Sequence, residues 1–207
     1  MHWVGDRALL RSFPGELERA NRAAHACGDE LAALEAPEVE DVVPGARSIL
    51  VVLRPGAEPS DALRDLLGRD RRDAAAARGR LHEIPVRYGG ADGPDLADVA
   101  SLHGLTEAQA IEAHARAAYV VGFIGFSPGF PYLLGLDPAL ATPRLDTPRV
   151  RVAAGSVAIG GGYTGVYPGP TPGGWRLIGR TDVELFDPLR DPPALLAPGD
   201  RVRFLPR

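Results

Sequence analysis

Residues 156–167 have the sequence SVAIGGGYTGVY. Two short apolar segments flank a glycine turn, which is typical of neighbouring β-strands joined by a tight connection. The letters from Gly160 to Gly165 also fit G-x-G-x-x-G, but a dinucleotide-binding loop must lead into a helix. Residues 166–170, with two prolines, are a poor start for one. We therefore predict a glycine turn between two barrel strands.

The same pattern of short strands and turn residues extends over the second part of the chain. Residues 84–207 hold 18 Gly and 15 Pro, whereas residues 1–83 hold 7 Gly and 5 Pro. This pattern favours a β-barrel or sandwich after residue 83. The predicted strands after the break, besides one at Ile84–Tyr88, are 119–126, 150–153, 156–160, 163–167, 175–179, 183–186 and 201–205.

The first part of the chain predicts a small α+β layer. Arg7–Phe13 has the pattern of a strand, and apolar residues at steps of three and four predict a helix over 16–34. Val39–Val43 and Arg47–Leu53 predict a hairpin. A second helix is expected to begin at its cap Ser60 and to end near residue 79. The fold class is therefore α+β, with an N-terminal domain at 1–83 and a barrel domain at 84–207.

Two short helices are predicted after the strand at Ile84–Tyr88. Asp95 is a candidate cap for the first helix. Thr106 and Gln109 have the spacing of a capping box at the start of the second.

Composition excludes several classes of function. The 207 residues carry a net charge of −4, and all 23 basic residues are arginine. A chain without lysine has no P-loop lysine, no Schiff base and no biotin carrier residue. The acidic balance favours neither nucleic acid nor a membrane surface as a partner. No apolar run is long enough to span a bilayer, and a cytoplasmic protein is expected.

Cysteine and histidine indicate no metal centre. The single cysteine, Cys27, excludes an internal disulfide and lies on the apolar stripe of the first helix, so we expect it to fill the core. The five histidines show no metal-ligand spacing, and each is expected to be a surface or capping residue. The alternative is a site shared by His103 and His114, which lie on consecutive predicted helices.

Residues 125–129 fit G-x-S-x-G, but Pro128 and Pro131 discourage the helix that a nucleophile elbow requires. The last histidine, His114, also precedes the serine, so a serine hydrolase is not predicted.

Arginines, aromatic residues and hydroxyls are concentrated on the glycine-proline loops of the second part. Rigid loops of this kind suit a site that binds a carboxylate or phosphate beside an apolar wall. The alternative is that the prolines and glycines only form turns while the arginines solvate the rim. The candidates are Phe126, Phe130, Pro131, Arg144, Arg149, Ser156, Thr164, Tyr167, Trp175 and Arg180.

Several motifs in one order resemble the KipI family, whose members are also called the 5-oxoprolinase B subunit or allophanate hydrolase subunit 1. The resemblance covers essentially the whole chain. It rests mainly on Gly122–Tyr132, Thr142–Arg144, Ala154–Val157, Thr164–Pro168 and Pro172–Trp175, with further matches at Tyr88–Gly90 and Gly93–Leu96. Tyr163 and Gly169-Pro170 depart from the family's usual residues beside the proposed pocket, which puts the ligand preference in doubt.

The resemblance implies an N-terminal α+β domain, a cyclophilin-like β-barrel and a place in a heteromeric enzyme. Family members act with a homologous, KipA-like C subunit, which is also cyclophilin-like, and with a further A subunit. The family's 5-oxoprolinase couples ATP hydrolysis to the opening of 5-oxoproline, giving glutamate. Because this chain has no lysine, no P-loop and no acid–base pair, we expect a non-autonomous enzyme subunit, with ATP used by the complex and no catalytic residue assigned here.

On this interpretation, Arg144, Arg149 and Arg180 are clamps for a carboxylate or an anionic intermediate. The walls are Phe126, Phe130, Tyr167 and Trp175, with Pro131 in the same cluster, and Ser156 and Thr164 supply hydrogen bonds. Two other functions remain open: a KipI-type inhibitor that binds a sensor histidine kinase, and an allophanate hydrolase or urea carboxylase component with biotin on another chain.

Overall fold

A computed structural model describes residues 1–71, 74–75 and 79–207. The chain divides into two compact units, Met1–Ala77 and Arg78–Arg207. The composition break at residue 83 falls inside a strand of the second unit, Leu81–Tyr88. The two-domain division at residue 83 stays a prediction.

The first unit is a four-stranded antiparallel sheet with two helices. The strands occur in the spatial order β1-β2-β4-β3. They are β1 (His2–Val4), β2 (Ala8–Ser12), β3 (Val39–Pro44) and β4 (Ser48–Leu53), and the helices are α1 (Leu17–Leu34) and α2 (Asp61–Gly68). The predicted hairpin of β3 and β4 is confirmed. Cys27 of α1 is fully buried in the apolar core with Ile49 and Val51, which confirms it as a core residue.

Helix α2 begins as predicted but is shorter than predicted. The Ser60 hydroxyl accepts a hydrogen bond from the Leu63 N–H at 3.3 Å. The helix ends at Gly68 because Arg69 is extended. The Arg71 guanidinium donates to the Leu66 carbonyl at 2.8 Å and so satisfies the helix end. The predicted extension to residue 79 is therefore wrong at 69–71, and residues 72–73 and 76–78 lie outside the described residues.

The second unit contains a closed seven-stranded barrel, in the order β10-β7-β6-β13-β5-β12-β9. Its strands are β5 (Leu81–Tyr88), β6 (Tyr119–Ile124), β7 (Pro131–Leu134), β9 (Ser156–Gly160), β10 (Tyr163–Val166), β12 (Arg176–Arg180) and β13 (Arg201–Pro206). β8 (Arg149–Val152) and β11 (Thr171–Gly173) form a separate two-stranded sheet. The predicted α+β class with a β-barrel is confirmed.

Three strand assignments in the second unit differ from the sequence-based prediction, and β1 in the first unit was not predicted either. β7 and β11 were not predicted, since each contains a proline, and proline is unfavourable inside strands. Pro131 occupies the first position of β7, where proline is tolerated. Residues 183–186 do not form a strand, and only Phe186 makes an isolated bridge, to Ala194.

Strand β9 divides its side chains between two cores. On β9, Val157 and Ile159 pack into the larger core together with two helices, α3 (Leu96–Leu102) and α4 (Glu107–Arg116). Ala158, on the opposite face of the same strand, packs into a smaller core. The predicted capping box of Thr106 and Gln109 at the start of α4 is confirmed. No helix within the described ranges has the length and apolarity needed to cross a bilayer.

His114 on α4 is fully buried in the second unit, so its prediction as a surface or capping residue is wrong. Its ring stacks on Phe204, with centroids 4.7 Å apart. Its Nδ1 lies 2.7 Å from the Tyr88 hydroxyl, and its Nε2 lies 2.9 Å from Thr164 Oγ1. Because Thr164 donates its own proton to the Ala158 carbonyl, Nε2 donates to Thr164 and Nδ1 accepts from Tyr88.

His82 is also buried, with its Nε2 3.1 Å from Asp200 Oδ2, so the surface prediction is wrong there too. His103 occupies the C-cap position of α3, as a capping residue was expected to do.

The stability of the chain should fall in mild acid because of His114. Burial lowers the pKa of His114 to about 3, so the unfolded chain binds a proton that the folded chain does not. This contribution to stability is complete above pH 6.5, the ordinary histidine value, and is lost as the pH falls from there toward 3. Between about pH 7.5 and 5.5, the free energy of unfolding measured in urea should fall by about 1 kcal/mol more in the wild type than in His114→Gln.

His2→Gln is the control, because His2 is exposed, and it should follow the wild type. If His114→Gln loses as much stability with falling pH as the wild type, the account of a buried neutral histidine is wrong.

Candidate functional site

Four predicted wall residues lie together on one side of the barrel sheet. The Phe130 ring is central: its centroid lies 5.1 Å from that of Tyr167, 5.3 Å from Trp175 and 5.4 Å from Phe126. All three pairs are edge-to-face, which is a favoured geometry for aromatic rings. We call these four residues the aromatic cluster. Pro131, next to Phe130, is buried at the start of β7.

The aromatic cluster has a buried base and one exposed ring. Phe130, Tyr167 and Trp175 are buried, whereas Phe126 is 60% exposed. Phe126 also has a φ of +67°, which is rare for a bulky residue and costs of the order of 1–3 kcal/mol. The Ser127 N–H donates to the Gly125 carbonyl at 2.7 Å and closes a three-residue turn around Phe126. The loop thus holds this ring at the surface.

Two glycines let the rings lie against the sheet. A Cβ at Gly160 on β9 would overlap the Trp175 ring, and one at Gly173 on β11 would overlap the Tyr167 hydroxyl. Packing therefore requires glycine at position 160 of the opening motif and at position 173.

Arg144 and Arg149 lie beside the aromatic cluster. The Arg144 guanidinium carbon is 5.8 Å from the Trp175 ring centroid, within the range of a cation–π contact. Burial raises the pKa of Tyr167, while the charges of Arg144 and Arg149 both act to lower it. Both guanidinium groups are therefore within electrostatic reach of the same buried hydroxyl.

Asp95 fixes Arg149 and was not predicted as a site residue. It occupies the N-cap position of α3, but its side chain makes no capping bond. Instead, one carboxylate oxygen accepts from Arg149 Nη2 at 2.7 Å, and the other accepts from the Leu177 N–H at 2.6 Å. The Asp95 side chain is only 7% exposed, so Arg149 compensates a buried negative charge.

Arg149 retains an unused donor. Its Nη1 is buried and has no hydrogen-bond partner in the part of the chain that the structure describes. Buried donors are nearly always paired in native proteins, and a guanidinium can bind a carboxylate with two parallel bonds. Arg149 thus has the chemistry to bind an anion next to Tyr167 while Asp95 holds its other side.

The remaining predicted residues, Thr164, Arg180 and Ser156, are not part of the aromatic cluster. Thr164 faces the larger core, where both of its hydrogen-bonding functions are used by His114 and the Ala158 carbonyl. Arg180, at the other end of β12, is about 17 Å along the strand from Trp175. Ser156 is buried and pairs with Arg180 across the β9–β12 ladder.

Comparison with known proteins identifies one family over nearly all of the chain. Residues 1–196 match the family model described as carboxyltransferase domain, subdomain C and D. The chain is 51% identical over 179 residues to the 5-oxoprolinase B subunit of Escherichia coli O157:H7, covering 84% of this chain and 81% of that protein. It is 37% identical over 217 residues to the 5-oxoprolinase B subunit of Bacillus subtilis (strain 168), covering 98% of this chain and 90% of that protein.

A solved structure has the same fold. The crystal structure of TTHA0988 in space group P6522 superposes with a TM-score of 0.84 at 40% identity, over 98% of this chain. The chain covers 40% of that protein's length.

Replacing Gly160 by alanine should destabilise the barrel, because the added methyl group overlaps the Trp175 ring. The expected loss is about 1–3 kcal/mol in the free energy of unfolding, measured by chemical denaturation. Gly162→Ala is the matched control, since no atom lies within 4 Å of a Cβ at that position. Equal stability of the two variants would contradict the packing role of Gly160.

Proposed function

The chain belongs to the carboxyltransferase-domain family, subdomains C and D, and on this basis we propose that it is the B subunit of an ATP-dependent 5-oxoprolinase. The proposed reaction opens the lactam of 5-oxoproline and gives glutamate. Two relatives named as the B subunit of 5-oxoprolinase, 51% and 37% identical over most of the chain, support this proposal. The structural observation that supports it best is the unused donor of Arg149 beside the aromatic cluster.

The proposed assembly also contains the KipA-like C subunit and the A subunit, in the cytoplasm. ATP is used by this complex, and the residues of the present chain do not fit a phosphate site for it. The sequence has no lysine. Among the described residues, the glycine-rich turn at 160–162 leads into strand β10 instead of a helix N-terminus. We therefore assign ATP binding to the other two proteins of the complex.

The role proposed for this chain is to hold the substrate's carboxylate. Arg149 donates from Nη1, and Asp95 keeps the guanidinium in place through Nη2. Arg144, which lies over the Trp175 ring, adds a second positive charge. The exposed ring of Phe126 offers an apolar surface to the carbon atoms of the five-membered lactam. Fixing the carboxylate in this way positions the lactam carbonyl for attack by water.

Hydroxyl groups have a smaller part in this proposal than the arginines. Thr164 supports β10 from the larger core through His114. Because burial raises the pKa of Tyr167, its hydroxyl remains protonated near neutral pH. It can therefore donate a hydrogen bond but does not act as a base there.

ATP-dependent glutamate release from 5-oxoproline should require this chain. The measurement compares the complex of the A and C subunits in the presence and absence of the chain, and then with Arg149 variants. We expect turnover to collapse without the chain and Arg149→Ala to raise the KM for 5-oxoproline roughly 10-fold or more, the cost of one charge-assisted contact. Arg149→Lys should rescue it only in part, because lysine lacks the planar fork.

Arg180→Ala is the matched control, since it removes the same charge at the far end of β12. Full turnover without the chain would overturn the proposed function. An unchanged KM in Arg149→Ala would overturn only the assignment of Arg149. If Arg180→Ala raises the KM as much as Arg149→Ala does, the rise in both variants is a general effect of charge.

A further inference from the structure

An arginine-lined cavity lies in the first unit. Its volume is about 350 Å³, within the range of small-molecule sites. Three segments form it: the end of β2, the first turns of α1 and the residues after α2. Its charged and apolar lining includes Arg11, Phe13, Arg19, Ala23, Asp70 and Arg71.

Arg71 is a structural arginine at this cavity. Its side chain is 4% exposed and makes two bonds to the Glu30 carboxylate, at 3.0 and 2.9 Å. It also donates to the carbonyls of Leu66 and Arg69. These bonds use most of its donors, and the Arg71 guanidinium keeps the pKa of Glu30 below its ordinary value.

Arg11 differs from Arg71 in having no such partners. It is half-buried, and its guanidinium carbon lies 5.5 Å from the Phe13 ring centroid. Its Nε is buried and unpaired. Among the described residues, no carboxylate or carbonyl oxygen accepts a hydrogen bond from its guanidinium. A half-buried cation with an orphaned donor is costly unless something absent from the isolated chain compensates it.

Among the described residues, charged side chains of both signs line the cavity: Arg11, Arg19 and Arg71, with Asp70. The carboxylate behind it, Glu30, is shared between Arg71 and Arg69.

The two key arginines converge from different segments. Burial raises the pKa of the Cys27 thiol, and the charges of Arg71 and Arg11 both oppose that rise. Arg11 on β2 and Arg71 after α2 are therefore both within electrostatic reach of one buried sulfur atom on α1.

We propose that this cavity binds a small organic anion, a carboxylate or a phosphate. The planar guanidinium of Arg11 pairs with the anionic group. The apolar body of the ligand lies against Phe13 and Ala23. The site is separate from Arg149 and the aromatic cluster, and it does not depend on the proposed function.

Isothermal titration calorimetry of the full chain at low salt tests the site. The probes are benzoate, phenyl phosphate and inorganic phosphate, with benzamide as a neutral analogue of benzoate. We expect at least one anion to bind and benzamide not to bind. Stronger binding of benzoate identifies a carboxylate site, and stronger binding of the two phosphates a phosphate site. In Arg11→Gln, the affinity should fall about tenfold or more.

Arg64→Gln is the matched control, because Arg64 is an exposed arginine of α2 outside the cavity lining. The affinity of the Arg64→Gln chain for the anion should stay within about twofold of that of the wild type. If no anion binds, or if Arg11→Gln binds as tightly as the wild type, the proposal is wrong.

Thermal unfolding without added anion separates a binding role from a structural one. Since Arg11 is unpaired, Arg11→Gln should unfold at the same temperature as the wild type or higher. Arg71→Gln should unfold at a lower temperature, because it removes the bonds to Glu30 and to the end of α2. An Arg11→Gln chain that unfolds at a clearly lower temperature than the wild type would show a structural arginine and overturn the proposal.

Discussion

The buried carboxylate of Asp95 is the interaction on which the proposed site depends. Removing a carboxylate from water costs several kcal/mol unless hydrogen bonds and an opposite charge compensate it. Here the Leu177 N–H supplies the hydrogen bond and Arg149 supplies the charge. The three residues belong to the start of α3, to β12 and to β8. One side chain therefore joins the small β8–β11 sheet to the barrel and fixes the direction of Arg149.

The barrel makes this arrangement possible because its strand β9 is buried on both faces. The larger core, with Val157 and Ile159, stabilises the barrel together with α3 and α4. The opposite face presents small residues, Ala158 and Gly160, on which the rings of Phe130 and Trp175 lie. The aromatic cluster is therefore closely packed against β9. Close packing suits binding because less conformational entropy is lost when a ligand is ordered on side chains that are already fixed.

Local sequence patterns predicted most of the elements. Spacing and turn residues predicted a barrel or sandwich, the capping box at Thr106 and the burial of Cys27, since each depends on neighbours along the chain. The end of α2 was missed because the Arg71 side chain satisfies it, and β7 because proline is usually unfavourable in strands. His114 was misjudged because a helical histidine does not reveal by local pattern which face it occupies.

The site could be predicted only in part. The glycine-proline loops indicated Arg149 and the aromatic residues, and the structure brings four of those rings together with Arg144. Asp95 was interpreted as a helix cap because that is the usual role of an aspartate before a helix. Its actual partners lie 54 and 82 residues away in the sequence, and no local pattern specifies contacts at that distance.

A double-mutant cycle between Asp95 and Arg149, read out as the KM for 5-oxoproline in the assembled complex, tests the central claim most directly. It uses Asp95→Asn, Arg149→Met and the double variant, with folding checked by thermal unfolding. If Asp95 acts by positioning Arg149, the double variant should have about the same KM as Arg149→Met alone, which gives a coupling of at least about 1 kcal/mol. If the two effects on KM simply add, Asp95 and Arg149 act independently, and the account of the site is wrong.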